Sequence, residues 1–243
     1  VPQEVQKIAD KILSLIPDDR RIKKTWAPRP ETGTINHITS IEDAPLYSDD
    51  WLILGRTNNV LIKLKPVLKD MAIYFEIKGR KSYKTRLYTA VKNYTRWTNG
   101  DKLSMSECKD LFEFLELDKE LKEERMYGLE EFGYSITDQW YEVFKSDPEE
   151  NLYIREMLRN EQKLSEPAKV KLSTIHAAKG GEATNVLIIL DNTKKIREAM
   201  DRSEDKRDEE NRVWYVGVTR TKQNLFIMTA KQEDRGYDIE SIT

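Results

Sequence analysis

The chain has 243 residues, 38% of them apolar and 35% charged, enough for one large domain or two small ones with a real core. Its 41 Lys and Arg nearly balance 43 Asp and Glu, for a net charge of -2, which excludes a histone-like polycation but leaves room for a local basic groove. A single cysteine excludes an internal disulfide framework, its company of two histidines argues against a zinc site, and no run reaches the ~18 apolar residues of a membrane span, so a globular cytoplasmic protein without a membrane partner or a metal site of its own is expected.

A helical period runs through Val5, Ile8, Ile12, Leu15 and Ile16, with Pro2 placed as in a first helical turn. The numbering opens on Val1 rather than Met, so a piece of a longer protein is expected. From about 33 to 79 the pattern reads strand, strand, helix, strand, at 34–38, 51–56, 59–70 and 74–78. A buried strand, a crossover helix and a second strand predict a right-handed βαβ unit and a parallel sheet. From about 81 to 165 the strand signal gives way to four or five helices. Ser104-Met-Ser-Glu107 is a capping box ahead of Leu111, Phe112 and Leu115, and Asp147-Pro148 supplies an N-cap followed by Pro at the first helical position. Strands return at 170–175, 186–190 and 224–228. Between the last two lie a mixed-sign charged stretch at 194–210, read as a solvated loop or exposed helix, and a helix over about 209–220. The fold class expected is α/β: a mainly parallel sheet flanked by helices, built from 1–80 and 166–243, with 81–165 inserted as a helical subdomain.

Two segments bear on chemistry. In Thr174-Ile-His-Ala-Ala-Lys-Gly-Gly-Glu-Ala183, two glycines after a strand let backbone N–H groups approach a phosphate, and Lys179 adds charge; the plainer reading is a tight turn with a surface lysine. In Glu209-Glu-Asn-Arg-Val-Trp-Tyr-Val-Gly-Val-Thr-Arg-Thr-Lys222, Val213, Val216 and Gly217 suit a packed helix face and leave Arg212, Thr219 and Arg220 to project. An arginine at a helix C-terminus is favoured by the dipole alone; its functional counterpart is an arginine finger aimed at a transferring phosphoryl group. Strand 186–190 ends at Asp191, the place of a magnesium-binding aspartate, a weak reading without a phosphate-binding loop.

In this order the two segments closely resemble motifs V and VI of UvrD/Rep/PcrA-like superfamily 1 DNA helicases, and Gly55-Arg-Thr-Asn58 resembles the Arg-Thr-Asn motif of the same family. The resemblance covers about half the chain and implies the second of two RecA-like motor domains. It implies that Arg220 reaches the ATP γ-phosphate, that Glu182 faces the nucleotide beside Gly180 and Gly181, and that Arg56, Asn58, Thr174 and His176 contact single-stranded DNA. For His176 the plainer alternative is a buried, hydrogen-bonded histidine. Arg212 is expected to be structural, paired with a neighbouring carboxylate. Gly181 and Thr184 depart from the residues commoner in the family, Leu and an acid, and neither removes a reacting group.

No Gly-x-x-x-x-Gly-Lys-[Ser/Thr] occurs in the sequence, so the β- and γ-phosphates and Mg2+ of ATP are expected to be held by an upstream RecA-like domain of the same protein. The implied activity is ATP-dependent translocation on single-stranded DNA, 3′ to 5′, with unwinding at duplex junctions, and the 243 residues alone are expected to be inactive. Two alternatives stand beside it: part of a helicase–nuclease, and a non-catalytic nucleic-acid-binding or adaptor module.

Overall fold

The structure, a computed structural model, describes residues 1–22, 27, 29–178, 180–231 and 236–239. The chain divides into two compact units, Val1–Arg80 with Pro167–Thr243, and Lys81–Glu166.

The first unit is built on a sheet. Helix α1 (Gln3–Ser14) precedes strand β1 (Thr34–Ile38), then come β2 (Trp51–Gly55), α2 (Asn58–Ile62), α3 (Leu64–Asp70), β3 (Phe75–Ile77) and a two-residue edge strand, β4 (Arg80–Lys81). After the helical unit the chain returns as β5 (Val170–Thr174) and β6 (Ala183–Ile189), and helices α8 (Lys194–Arg202) and α9 (Glu204–Val218) lead to β7 (Thr221–Met228). Among the described residues the strands form one sheet in the order β1-β7-β6-β2-β5-β3-β4, and the pairs β1/β7, β7/β6, β6/β2, β2/β5 and β5/β3 are all parallel. This is a RecA-like α/β fold.

Both faces of the sheet are covered, which is why its strands read as continuous apolar runs rather than alternating ones. Leu52, Leu54, Val186, Ile188, Leu225 and Ile227 point to the face covered by α1 and α9 through Ile8, Ile12, Trp214 and Val218. Their neighbours Trp51, Ile53, Leu187, Ile189, Phe226 and Met228 point to the other, beneath Leu61, Leu64 and Leu68 of α2 and α3. Burying each such side chain is worth about 1.5–3 kcal/mol.

Several elements differ from the sequence expectation for identifiable reasons. The helix expected over 59–70 is broken at Lys63. Pro66 cannot donate to the carbonyl of Ile62, and its ring crowds that carbonyl, so the ladder is interrupted although the apolar spacing continues. Strands β6 and β7 begin three residues before the expected starts at 186 and 224, and polar residues around these starts satisfy one another: Asn224 Nδ2 donates to Asn185 Oδ1 at 2.8 Å, and Thr34 Oγ1 to Asn224 Oδ1 at 2.9 Å. Strand β4 was not expected; Lys78 and Gly79, at φ 52° and 72°, form the two-residue turn that creates it. The charged stretch 194–210 is helical, with Thr193 and Ser203 as N-caps accepting from Ile196 N and Lys206 N.

The second unit carries α4 (Thr85–Thr98), α5 (Met105–Leu115), α6 (Trp140–Val143) and α7 (Pro148–Arg159). The Ser104/Glu107 capping box and the Asp147 N-cap start α5 and α7. Trp97, Phe112 and Tyr127 gather around Phe132 with ring centroids 4.9–5.9 Å away. Cys108 is buried, and burial pushes its thiol up to about 11, so it packs rather than reacts.

Candidate functional site

The parallel registers place the residues singled out above at two opposite edges of one sheet. Gly55 pairs with Thr174 and with Ile189, so the ends of β2, β5 and β6 share the C-terminal edge. Ala183 pairs with Thr221 at the start of β6 and β7, on the N-terminal edge. With seven residues in β6, the two edges lie about 20 Å apart at ~3.3 Å per residue.

Arg56, Asn58, Thr174 and His176 collect at the C-terminal edge. Helix α2 folds closely over the end of β2: a Cβ on Gly55 would stand 3.1 Å from Leu61 Cδ2. That fold leaves Asn58, the first residue of α2, exposed. The Ile175 N–H donates to the Gly55 carbonyl at 3.1 Å, holding the turn after β5 against Arg56. Within that turn Thr174 Oγ1 accepts from Ala177 N at 3.3 Å, and His176 is exposed rather than buried. Arg56 is half-buried, and its guanidinium forks onto Glu210 of α9, Nε to Oε2 at 2.8 Å and Nη2 to Oε1 at 2.6 Å.

Gly180, Gly181, Glu182 and Arg220 collect at the N-terminal edge. Gly180 adopts φ 88°, in the left-handed region that glycine tolerates without cost. The Gly181 N–H donates to Ala178 O at 2.9 Å, and the Ala183 N–H to Arg220 O at 3.2 Å, so the glycine turn and Arg220 are neighbours through the backbone. Arg220 Nε donates to Val216 O at 3.0 Å, which fixes the guanidinium plane; its terminal amino groups make no hydrogen bond among the described residues. Glu182 is exposed, 3.9 Å from Arg29 Nη2. Lys179 lies outside the described residues. Asp50 anchors this edge by accepting from the backbone N–H of Thr184 at 3.0 Å and from its hydroxyl. Burial works against the Asp50 charge, but the Thr184 hydrogen bonds, a bond to its own backbone and the charge of Lys222 together outweigh it and hold the carboxyl below its ordinary value.

Helix α9 serves both edges. Glu210 in its middle holds Arg56, and ten residues on, about 15 Å at 1.5 Å per residue, the chain delivers Arg220. Its packed face is Trp214, Gly217 and Val218, with Val213 and Val216 only half-buried. Among the described residues Arg212 does not pair with a carboxylate as expected. Its Nη2 donates to the Arg20 carbonyl at 2.7 Å, because Asp208 and Glu204, the acids on that side, are already engaged by the Arg20 guanidinium. Asp191 Oδ1 accepts from Lys231 N at 3.1 Å, and among the described residues no group of three or more His, Cys, Asp or Glu could hold a metal ion.

Across residues 58–232 the sequence matches the profile of the UvrD-like helicase C-terminal domain. The chain belongs to this family. No curated protein matches it. The matched stretch of this UvrD-like domain runs through the helical unit and then through β5, the glycine turn, α9 and β7; Arg56 stands two residues before it. Sequence reasoning assigned no role to Glu210 or Asp50. Glu210 lay within a quoted motif, but one acid among many in 204–210 carries no sign that it is one of the two, with Asp208, that are buried.

Proposed function

We propose that this chain is the second motor half of an ATP-dependent DNA helicase. It grips one DNA strand at the C-terminal edge of its sheet and presents Arg220 to ATP at the opposite edge. One observation carries the reading: within a chain of this family, Arg56 is tied to the middle of α9 through Glu210 and Arg220 to its C-terminal end through Val216. The β- and γ-phosphates and Mg2+ would be held by an upstream RecA-like domain, since the sequence has no phosphate-binding loop.

In that arrangement the Val216 carbonyl orients Arg220, and its free amino groups meet the charge that develops on the γ-phosphoryl group. Such neutralisation is worth roughly 10³–10⁵ in rate in related systems. Exposed Glu182 accepts from the nucleotide, at its ribose, beside the open turn of Gly180 and Gly181. Arg56, Asn58, Thr174 and His176 bind the strand backbone without regard to sequence, with affinity that falls as salt rises. Cleft closure on ATP and opening after hydrolysis alternate the grip of the two halves and move the protein 3′ to 5′ into duplex junctions.

The test is unwinding by the full protein. A duplex with a 3′ single-stranded tail should be opened in an ATP-dependent way and a 5′-tailed one should not. Equal or reversed preference would contradict the polarity, and absence of any ATP-dependent opening would contradict the motor.

A further inference from the structure

The segment after β7 turns back onto the sheet. Asp191, just past the end of β6, holds it at two places: its carboxylate accepts from Lys231 N at 3.1 Å, and its backbone bridges to Gly236 in the antiparallel sense. The Tyr237 N–H then donates to the Leu190 carbonyl at 2.9 Å. Tyr237 and Ile239, 4% and 0% exposed, join the core on the face of the sheet covered by α1 and α9. This strap, Gly236 to Ile239, lies beyond the matched stretch of the family domain.

Its side-chain contacts fall on one stretch of α9. The Tyr237 hydroxyl donates to Asn211 Oδ1 at 2.8 Å, and its ring stacks on Trp214 with centroids 4.8 Å apart and planes 18° from parallel. Stacking fixes the separation of the two rings, and the hydroxyl bond fixes a direction as well. The Asn211 amide nitrogen makes no hydrogen bond among the described residues, so the bond from Tyr237 is what holds that buried side chain. Asn211 and Trp214 lie between Glu210, which holds Arg56, and Val216, which orients Arg220. The strap therefore grips α9 on the stretch that joins the two arginines.

We propose that Tyr237 is a positioning residue of the motor. Tied to Leu190 by its backbone and to Asn211 and Trp214 by its side chain, it sets α9 against the sheet edge where the strand-contact candidates lie, and so holds Glu210 where it can fork Arg56. Buried as it is, it acts through these neighbours and touches neither strand nor nucleotide. The inference rests on the DNA-binding reading above and names what keeps its arginine in place.

The experiment follows steady-state ATPase of the full protein against the concentration of single-stranded DNA, in wild type and in Tyr237→Phe, which keeps the stack and removes only the hydroxyl. The strand concentration at half-stimulation should rise about three- to tenfold, the size of one buried hydrogen bond. The basal rate and the affinity for ATP should stay at their wild-type values, because Val216 still orients Arg220. Asn211→Ala removes the same bond from the other side and should give the same shift, and the double variant should shift no further. In a Glu210→Ala background Tyr237→Phe should add nothing, since Glu210 is the residue through which it acts. An unchanged half-stimulation concentration in Tyr237→Phe, basal and stimulated rates that fall by the same factor, or a full further shift in the Glu210→Ala background would overturn the inference while leaving the DNA-binding reading intact. A wild-type protein whose ATPase responds to no strand would overturn both readings together.

Discussion

The Arg56 guanidinium and the Glu210 carboxylate face each other through two hydrogen bonds, 2.8 and 2.6 Å long, joining the end of β2 to the middle of α9. A planar fork on a carboxylate fixes orientation as well as distance, which a lysine could not do. Removing the acid leaves a half-buried guanidinium without its partner. Glu210→Ala should therefore cost about 1.5–3 kcal/mol of stability in urea unfolding, the range of hydrogen bonds to charged groups. In the full protein it should reduce the stimulation of ATPase by single-stranded DNA more than the basal rate, because Arg56 and α9 no longer move together. An equal loss of basal and stimulated rates would restrict Glu210 to a structural role.

Gly33 adopts φ 72°, and a Cβ there would stand 2.5 Å from Pro2 Cβ and 2.8 Å from the Gln223 carbonyl. The left-handed backbone alone costs a substituted residue about 1–2 kcal/mol. The contact with Gln223 backbone cannot be relieved by turning a side chain. Gly33→Ala should thus lower the thermal midpoint well beyond an Ala substitution at open Gly79, which also has positive φ but meets nothing within 4 Å. Equal midpoints for the two variants would show that the close approach of Pro2 and Gln223 to Gly33 costs a side chain nothing.

Asp50 supplies a pH signature. Its carboxyl titrates below its ordinary value when folded, so its contribution is present above the unfolded value near 3.8 and is lost as pH falls toward the folded one. Asp50→Asn should lower stability at pH 7 and flatten the decline between about pH 5 and 3. A variant whose acid limb superimposes on that of wild type would place the lowered carboxyl elsewhere.

Much of the sheet was legible because burial on both faces makes each strand an unbroken apolar run, as in Trp51-Leu-Ile-Leu and Val186-Leu-Ile-Ile. The edges were less legible. Asn185 and Asn224 look like loop residues until they are paired with each other across strands. Pro66 was in plain view, but Leu61, Leu64 and Leu68 kept a helical spacing through the break it causes. Lys78 gave no hint of the hairpin because the positive φ it adopts is usually filled by Asn, Asp or Gly. For the candidate site, order along the chain picked out the residues but not their partners. Glu210 becomes conspicuous only through burial, which it shares with Asp208 among the acids of 204–210, and through the Arg56 fork that it accepts.

The central claim is that Arg220 acts on ATP bound by another domain of the same protein. The most direct measurement is steady-state ATPase of the full protein at saturating single-stranded DNA, wild type against Arg220→Ala and Arg220→Lys, with nucleotide affinity measured in parallel. The account predicts a fall of roughly 10³-fold or more for Arg220→Ala while ATP still binds, and little rescue by lysine, whose point charge lacks the planar fork. Near-normal turnover in Arg220→Ala would contradict it.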